Sequence, residues 1–477
     1  MHKNIEAAKN VIYGILADEK RAAKPVLSSM VSIFRAHQAA WKMRRVQYSD
    51  TGSINPEKLA QYKLTDDIFL RRKMVPNAQN HGIVVHIDWS GSMSGMISTV
   101  IYQTLTMIWF CETINIPIDV YAFTTRMASY ENSSMLLYQS SESASVRRDM
   151  QALLYVFAAR NAGLHTISGD DIWFTQEEGT MGSAPKAMVS GLRKLMNSGV
   201  KFSWLKPLWE LSELYMGGTP LFQTVYDSVE TIRVFRMRHR IDQCISLWLT
   251  DGGDGSGLRV DGQKVNAGGN FHMVDPATGK TYTADHERPA LAAIFEMHRE
   301  RTGATVICMD INDSPGSSVS RVLGTGDLRK YLSAIGIEGR VSTVHGSITA
   351  KKQLQTKRKL IMAPKTKFAD TGIAIAVRDE FPNMGCDAYI VTHPGWWGDS
   401  FTVESVKKSS ARWNDMWDDD EDEEDGTDWS EDDDADDAPE YDIPHRVDLS
   451  STLMEQSAMV SMRKFTSMLM PHIAAGR

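Results

Sequence analysis

Five oxygen-bearing side chains occupy positions from which they could hold a hard cation. Asp88, Ser90 and Ser92 alternate where an apolar run (residues 83–87) stops abruptly, with Gly91 and Gly95 allowing a tight turn. Thr219 follows Gly217-Gly218 and precedes Pro220, a residue that favours the first position of a helix. Asp251 follows a second apolar run (residues 244–249) and precedes Gly252-Gly253. Carboxylates and hydroxyls offer only oxygen, which suits Mg²⁺, with Mn²⁺ or Ca²⁺ as alternatives. Mg²⁺ takes six oxygens in a near-octahedral array and keeps some waters. Two carboxylates and three hydroxyls leave at least one position open. The hydroxyls are neutral, so a bound ion would keep much of its charge and attract an Asp or Glu from a partner.

Such a set needs a scaffold that brings distant loops together. The pattern predicts a strand at 83–88, a helix at 96–115 and a second strand at 118–123. Further on it predicts a helix at 221–238, a strand at 244–249, a helix at 289–301, a strand at 305–309 and a helix at 328–335. Strands alternating with helices argue for an α/β fold with a mostly parallel, doubly wound sheet. In such a sheet all three loops would lie along the carboxyl edge, where ligands bind.

The chain divides by composition. Residues 1–48 read as a helical N-terminal region and 49–80 as a linker. Residues 81–345 read as the α/β domain, with insertions at 126–210 and 256–285; the first reads as one or two short strands at 126–138 and a helix at 150–159, and the second contains a hairpin around Asp275-Pro276. Residues 346–413 read as a C-terminal extension, partly β-like from 385 onward, 414–443 as an acidic disordered segment and 444–477 as a Met-rich helix. Trp89, between the ligands, either flanks a docking surface or wedges beneath the loop.

Charge is unevenly spread. Eighteen acidic and no basic residues lie between Asp415 and Asp442, so the rest of the chain carries +10 against −8 for the whole. The first 80 residues hold 14 basic and 7 acidic side chains. They could form a basic arm for nucleic acid or an acidic partner, meet the chain's own acidic run, or be a solvated helical face, the commoner case. Nucleic acid is not the expected partner, since only this region and residues 351–359 would support it. Four separated cysteines (Cys111, Cys244, Cys308, Cys386) suggest neither a zinc site nor a disulfide framework. The N-terminus lacks the apolar stretch of a signal peptide, and residues 100–111 are too short and polar to span a bilayer. A cytoplasmic location is expected (host cytoplasm if the gene is phage-borne).

Asp88-x-Ser90-x-Ser92, a distant Thr219 and a distant Asp251 before glycine together resemble the metal-ion-dependent adhesion site of von Willebrand factor A domains. The resemblance implies a Rossmann-like fold in which Ser90, Ser92 and Thr219 coordinate the ion and Asp88 and Asp251 act directly or through water. Residues 54–63, Phe69-Leu70-Arg71-Arg72-Lys73 and Phe123-Thr124-Thr125-Arg126 resemble more narrowly the CobT subunit of aerobic cobaltochelatase and its phage-borne relatives. In that family, acidic sequence precedes the A domain; here it follows. Gly217 to Leu221 looks like A domains that accompany MoxR-type AAA+ ATPases. The resemblance covers roughly residues 50–320. It implies a Mg²⁺-dependent adaptor coupling a CobS- or MoxR-like AAA+ ring to a client that offers Asp or Glu.

The alternatives are a cobaltochelatase subunit proper, acting in cobalamin biosynthesis, and an adhesion protein. No nucleophile–base pair or phosphate loop emerges, so catalysis by the chain itself is not expected; homo-oligomerisation is left open. Ala277-Thr278-Gly279-Lys280-Thr281 echoes a phosphate loop but reads better as a hairpin turn. Gly398-Asp399-Ser400 near His393 reads as a surface turn, Asp170-Asp171 as a turn or cap, and His86 as a core or rim histidine.

Overall fold

The computed structural model describes residues 2–44, 47–49, 72–74, 81–125, 132–161, 164–166, 172–174, 194, 216–252, 258–260, 263–265, 271–285, 287–312, 318–334 and 373–392. The acidic run, the helix expected at 444–477, most of the linker, Asp170-Asp171, residues 351–359 and the turn expected at Gly398 lie outside that description.

Seven strands form the central sheet: β1 (His81–Asp88), β2 (Ile118–Thr125), β3 (Asn132–Gln139), β4 (Gln243–Thr250), β5 (Thr305–Ile311), β6 (Ile373–Val377) and β7 (Ala388–Thr392). Their spatial order is β6-β7-β5-β4-β1-β2-β3. The five inner strands run parallel, and β3 and β6 close the edges antiparallel. Parallel strands need crossovers, and here helices supply them. After β1 the chain moves outward through β2 and β3, then returns to the other flank of β1 with β4. The order therefore reverses between β1 and β4.

Among the described residues the helices are α1 (His2–Ala22), α2 (Lys24–Arg44), α3 (Ile97–Ile114), α4 (Ala144–Asn161), α5 (Leu221–His239), α6 (Ala290–Thr302) and α7 (Thr325–Ala334). Strand periodicity sorts β1 onto two faces. Ile83, Val85 and Ile87 share a core with Ile101, Leu105 and Ile108 of α3 and with Leu154 and Phe157 of α4. Val84 faces the other way, onto Ile232 and Phe235 of α5. On that second face Trp248, Val306 and Cys308 pack with Phe295 of α6. Covering on both sides explains why β1 is an almost unbroken apolar run.

Every residue of α3 from Ile97 to Cys111 is buried, including three threonines and a glutamine. It lies against the sheet, with Phe110 meeting Phe34 of α2 edge-on at 6.1 Å. Thr104 and Thr106 donate to the carbonyls of Val100 and Tyr102 at 2.8 and 3.2 Å, so these buried hydroxyls are satisfied within the helix. Among the described residues no helix is long and apolar enough to cross a membrane.

The basic N-terminal region has local acidic partners. Lys9 pairs with Asp149 at 3.2 Å and Lys20 with Glu112 at 3.0 Å, while Ile12, Ile15, Val26 and Met30 are buried.

The sheet differs in extent from the sequence expectation. It does not stop at residue 345, because β6 and β7 belong to it and β7 pairs in parallel with β5. The 126–210 stretch is likewise not wholly an insertion, since β3 and α4 are part of the central layers. The 256–285 stretch contains two hairpins, Leu258–Val260 with Gln263–Val265 and Phe271–Val274 with Thr281–Ala284.

Candidate metal centre

The five predicted residues emerge from the carboxyl ends of β1 and β4 and from the loop that enters α5. The first two ends flank the reversal in strand order, the place where open α/β sheets bind ligands. After Asp88 the chain forms a bridge at Ser90, then a short 3₁₀ turn (Gly91–Gly95), and only then α3. The Ser90 and Ser92 hydroxyls lie 3.0 Å apart.

The Gly217-Gly218 segment is stitched to both neighbouring strand ends. The Gly91 amide donates to the Gly217 carbonyl at 2.9 Å, the Gly217 amide to the Thr124 hydroxyl at 3.0 Å, and the Thr125 amide to the Gly218 carbonyl at 3.0 Å. Thr219 follows at once and is buried. A Cβ at Gly217 would stand 1.8 Å from the Thr125 carbonyl oxygen, so any other residue must move the strap. Pro220 caps α5, whose first helical residue is Leu221, where the sequence places the start.

Asp88 is wholly buried. Thr250 donates to its Oδ2 at 2.7 Å, whereas its Oδ1 has no hydrogen-bond partner among the described residues. Burial pushes the Asp88 carboxyl up to about 7, with the charges of Asp251 and Asp310 adding to the rise and hydrogen bonds from Thr250 and Ser90 opposing it. Burial also raises the Asp251 carboxyl, and a hydrogen bond from Ser92 counters it. With the Ser90 and Ser92 hydroxyls paired and Thr250 tied to Asp88, the two strand ends and the β1 loop form one polar cluster. A buried carboxylate oxygen without a donor, beside two hydroxyls and a second carboxylate, is a setting that an oxygen-seeking cation fits. Among the described residues no group of three or more His, Cys, Asp or Glu side chains is placed to hold a metal, so any such centre must draw on the hydroxyls.

Trp89 is 1% exposed and does not border a docking surface. Its amide donates to the Phe123 carbonyl at 2.8 Å, and its ring meets Phe157 of α4 edge-on at 6.2 Å. It is the buried wedge that seats the loop.

Four further residues complete the surroundings, and the sequence reading passed over them. Thr250 joins β4 to Asp88, and its hydroxyl also accepts from the Gly252 amide at 2.9 Å. Asp310 lies on β5 opposite Thr250 and is wholly buried. Arg321 donates to Asp310 Oδ2 at 2.7 Å, and Tyr389 on β7 donates to the same oxygen at 2.7 Å. The signal for Asp310 was present: like Asp88 and Asp251 it follows an apolar strand and precedes a Gly/Ser loop. Nothing local in the sequence singles out Arg321 or Tyr389.

The other sequence candidates resolve structurally. Asp275 to Lys280 is a hairpin turn: Thr278 donates to Asp275 Oδ2 at 2.6 Å, and the Gly279 amide to the Asp275 carbonyl at 2.8 Å. His86 is a core residue, stacked 4.1 Å from Trp248 and 5.8 Å from Tyr121 on the flanking strands. Both of its ring nitrogens are buried without partners among the described residues. His298, with Ser228 and Ser246 each at 3.2 Å, resembles a serine–histidine pair, but all three are sealed in the core and out of reach of substrate. All four cysteines are free and buried.

No protein-family model matches the chain, and no curated protein is detectably similar to it. A solved structure that does match is the pilus adhesin SpaC from Lactobacillus rhamnosus GG, in its open conformation, at 11% identity and a TM-score of 0.25. The match covers 60% of this chain and 30% of the adhesin, so the chain spans less than a third of that protein's length. Likeness of this degree transfers neither fold nor function.

Proposed function

We propose that the chain is a von Willebrand factor A-type adaptor that binds a partner's carboxylate through a divalent cation, Mg²⁺ in the first instance. The observation that carries this reading is the buried, partnerless Oδ1 of Asp88 at the meeting point of the three loops. The strand order supports it too, because Asp88 and Asp251 flank the reversal point of the sheet.

In this reading Ser90, Ser92 and Thr219 hold the cation through their hydroxyls, and Asp88 and Asp251 hold it directly or through water. When bound, the cation supplies a Lewis-acid position for one further oxygen. Thr250 fixes the orientation of Asp88 by occupying Oδ2, which leaves Oδ1 for the centre. The Gly217-Gly218 strap fixes Thr219 against the β1 loop. Trp89 seats that loop from beneath.

The partner class follows from the resemblance to CobT and to A domains that accompany AAA+ ATPases: a ring ATPase on one side and a client offering Asp or Glu on the other. Affinity capture with the full chain tests this. A ring ATPase should be retained in Mg²⁺ and lost both in EDTA and with Asp88→Ala. If chelation and the substitution both leave every partner bound, the proposal is wrong.

A further inference from the structure

Arg321 stands where a cation centre would least be expected to tolerate a fixed positive charge. Its Nη1 donates to Asp310 Oδ2 at 2.7 Å and to the Asp251 main-chain carbonyl at 3.3 Å. The side chain lies in the crook of the Asp251-Gly252 turn. Gly252 has φ +92°, and a Cβ there would stand 1.3 Å from Nη1 and 2.8 Å from Asp310 Oδ2. The turn is thus shaped to admit the guanidinium. Asp310 is wholly buried on β5, one strand beyond Thr250, and its Oδ1 has no partner among the described residues. A third carboxylate therefore sits beside the proposed centre, and Arg321 is ion-paired to it.

We propose that Arg321 is a positioning residue that sets the charge of this centre. By pairing with Asp310 it leaves Asp88 and Asp251 to offer two net negative charges, matched to a divalent cation. A centre with three would satisfy the cation fully and leave little attraction for a partner's carboxylate. A centre with Asp310 removed and Arg321 retained would repel the cation. The inference rests on the metal reading of the five-residue site and adds the device that keeps that site electrophilic.

The test is calorimetric titration of the full chain with Mg²⁺. Asp88→Ala is titrated in parallel, to subtract ions taken up by the acidic run between Asp415 and Asp442. Asp310→Asn is near-isosteric and keeps an oxygen for Tyr389, but strands the Arg321 charge. It should weaken the Asp88-dependent binding about tenfold or more, the scale of one unit charge at several ångströms in an effective dielectric near 20. Asp310→Asn combined with Arg321→Met restores the balance and should return affinity to within about threefold of wild type. Arg321→Lys keeps the charge and should also stay within about threefold, which provides a readout should the double variant fail to fold. A purely structural pair predicts the reverse for the double variant, with binding at least as weak as in Asp310→Asn. That result, a tenfold loss in Arg321→Lys, or an unchanged Asp310→Asn would overturn the inference. If wild type and Asp88→Ala titrate alike, the metal reading itself fails.

Discussion

At the scale of single residues, burial decides what each polar side chain can do. Asp88 and His86 lie two apart on β1 and are both buried, yet their environments differ. Asp88 ends the strand among hydroxyls; His86 is enclosed by aromatic rings, and burial pushes its imidazole down to about 3. The consequence for acid stability has a definite sign. The folded chain keeps His86 neutral, whereas the unfolded chain protonates it below its ordinary value near 6.5. Stability from this residue is therefore complete above that value and is lost progressively as pH falls toward 3. Going from pH 7 to pH 4.5 should cost wild type about 2–3 kcal/mol that His86→Phe does not lose. Urea unfolding of both proteins at the two pH values measures this directly; equal losses would contradict it. The sequence placed His86 in the core or at its rim, but not the stack, which depends on Tyr121 and Trp248 falling in register on either side.

At the scale of elements, the loops of the candidate centre are held by main-chain hydrogen bonds rather than by their own side chains. The Gly217-Gly218 strap makes three of these contacts, two main chain to main chain and one to the Thr124 hydroxyl. Gly217→Ala forces a Cβ against the Thr125 carbonyl and should move the strap, and Thr219 with it. Mg²⁺ binding in this variant should fall at least tenfold, with a loss of global stability within the usual 0.5–3 kcal/mol range for a point substitution. Titration and thermal unfolding side by side check this, and unchanged Mg²⁺ affinity would sink it. The strand-turn signatures at Asp88, Thr219 and Asp251 were legible because each couples an apolar run or helix start to glycine. The clamp on the Asp251 turn was not, because Arg321 reaches it, and Tyr389 reaches Asp310 beside it, from segments distant in sequence.

For the whole molecule, the alternation of strand and helix between residues 81 and 311 was legible because parallel strands covered on both faces are written as apolar runs. The two edges were legible as strand-like stretches, at 126–138 and within 385–413, but not as parts of the sheet. β3 is a half-exposed antiparallel strand carrying Ser133 and Ser134, with Leu136 turned 42% to solvent. β7 is a five-residue, fully buried run, too short for periodicity to distinguish it from a piece of helix. Its assignment depends on pairing with β5, some eighty residues earlier, a contact no local pattern encodes. The proposed centre requires this sheet to bring Asp88, Ser90, Ser92, Thr219 and Asp251 together around one divalent cation. Anomalous diffraction from crystals of the full chain soaked in Mn²⁺ tests it most directly. One strong peak is expected at the carboxyl edge between β1 and β4, about 2–2.5 Å from the Ser90, Ser92 and Thr219 oxygens and absent in Asp88→Ala. No peak at that edge, or a peak there that survives Asp88→Ala, would contradict it.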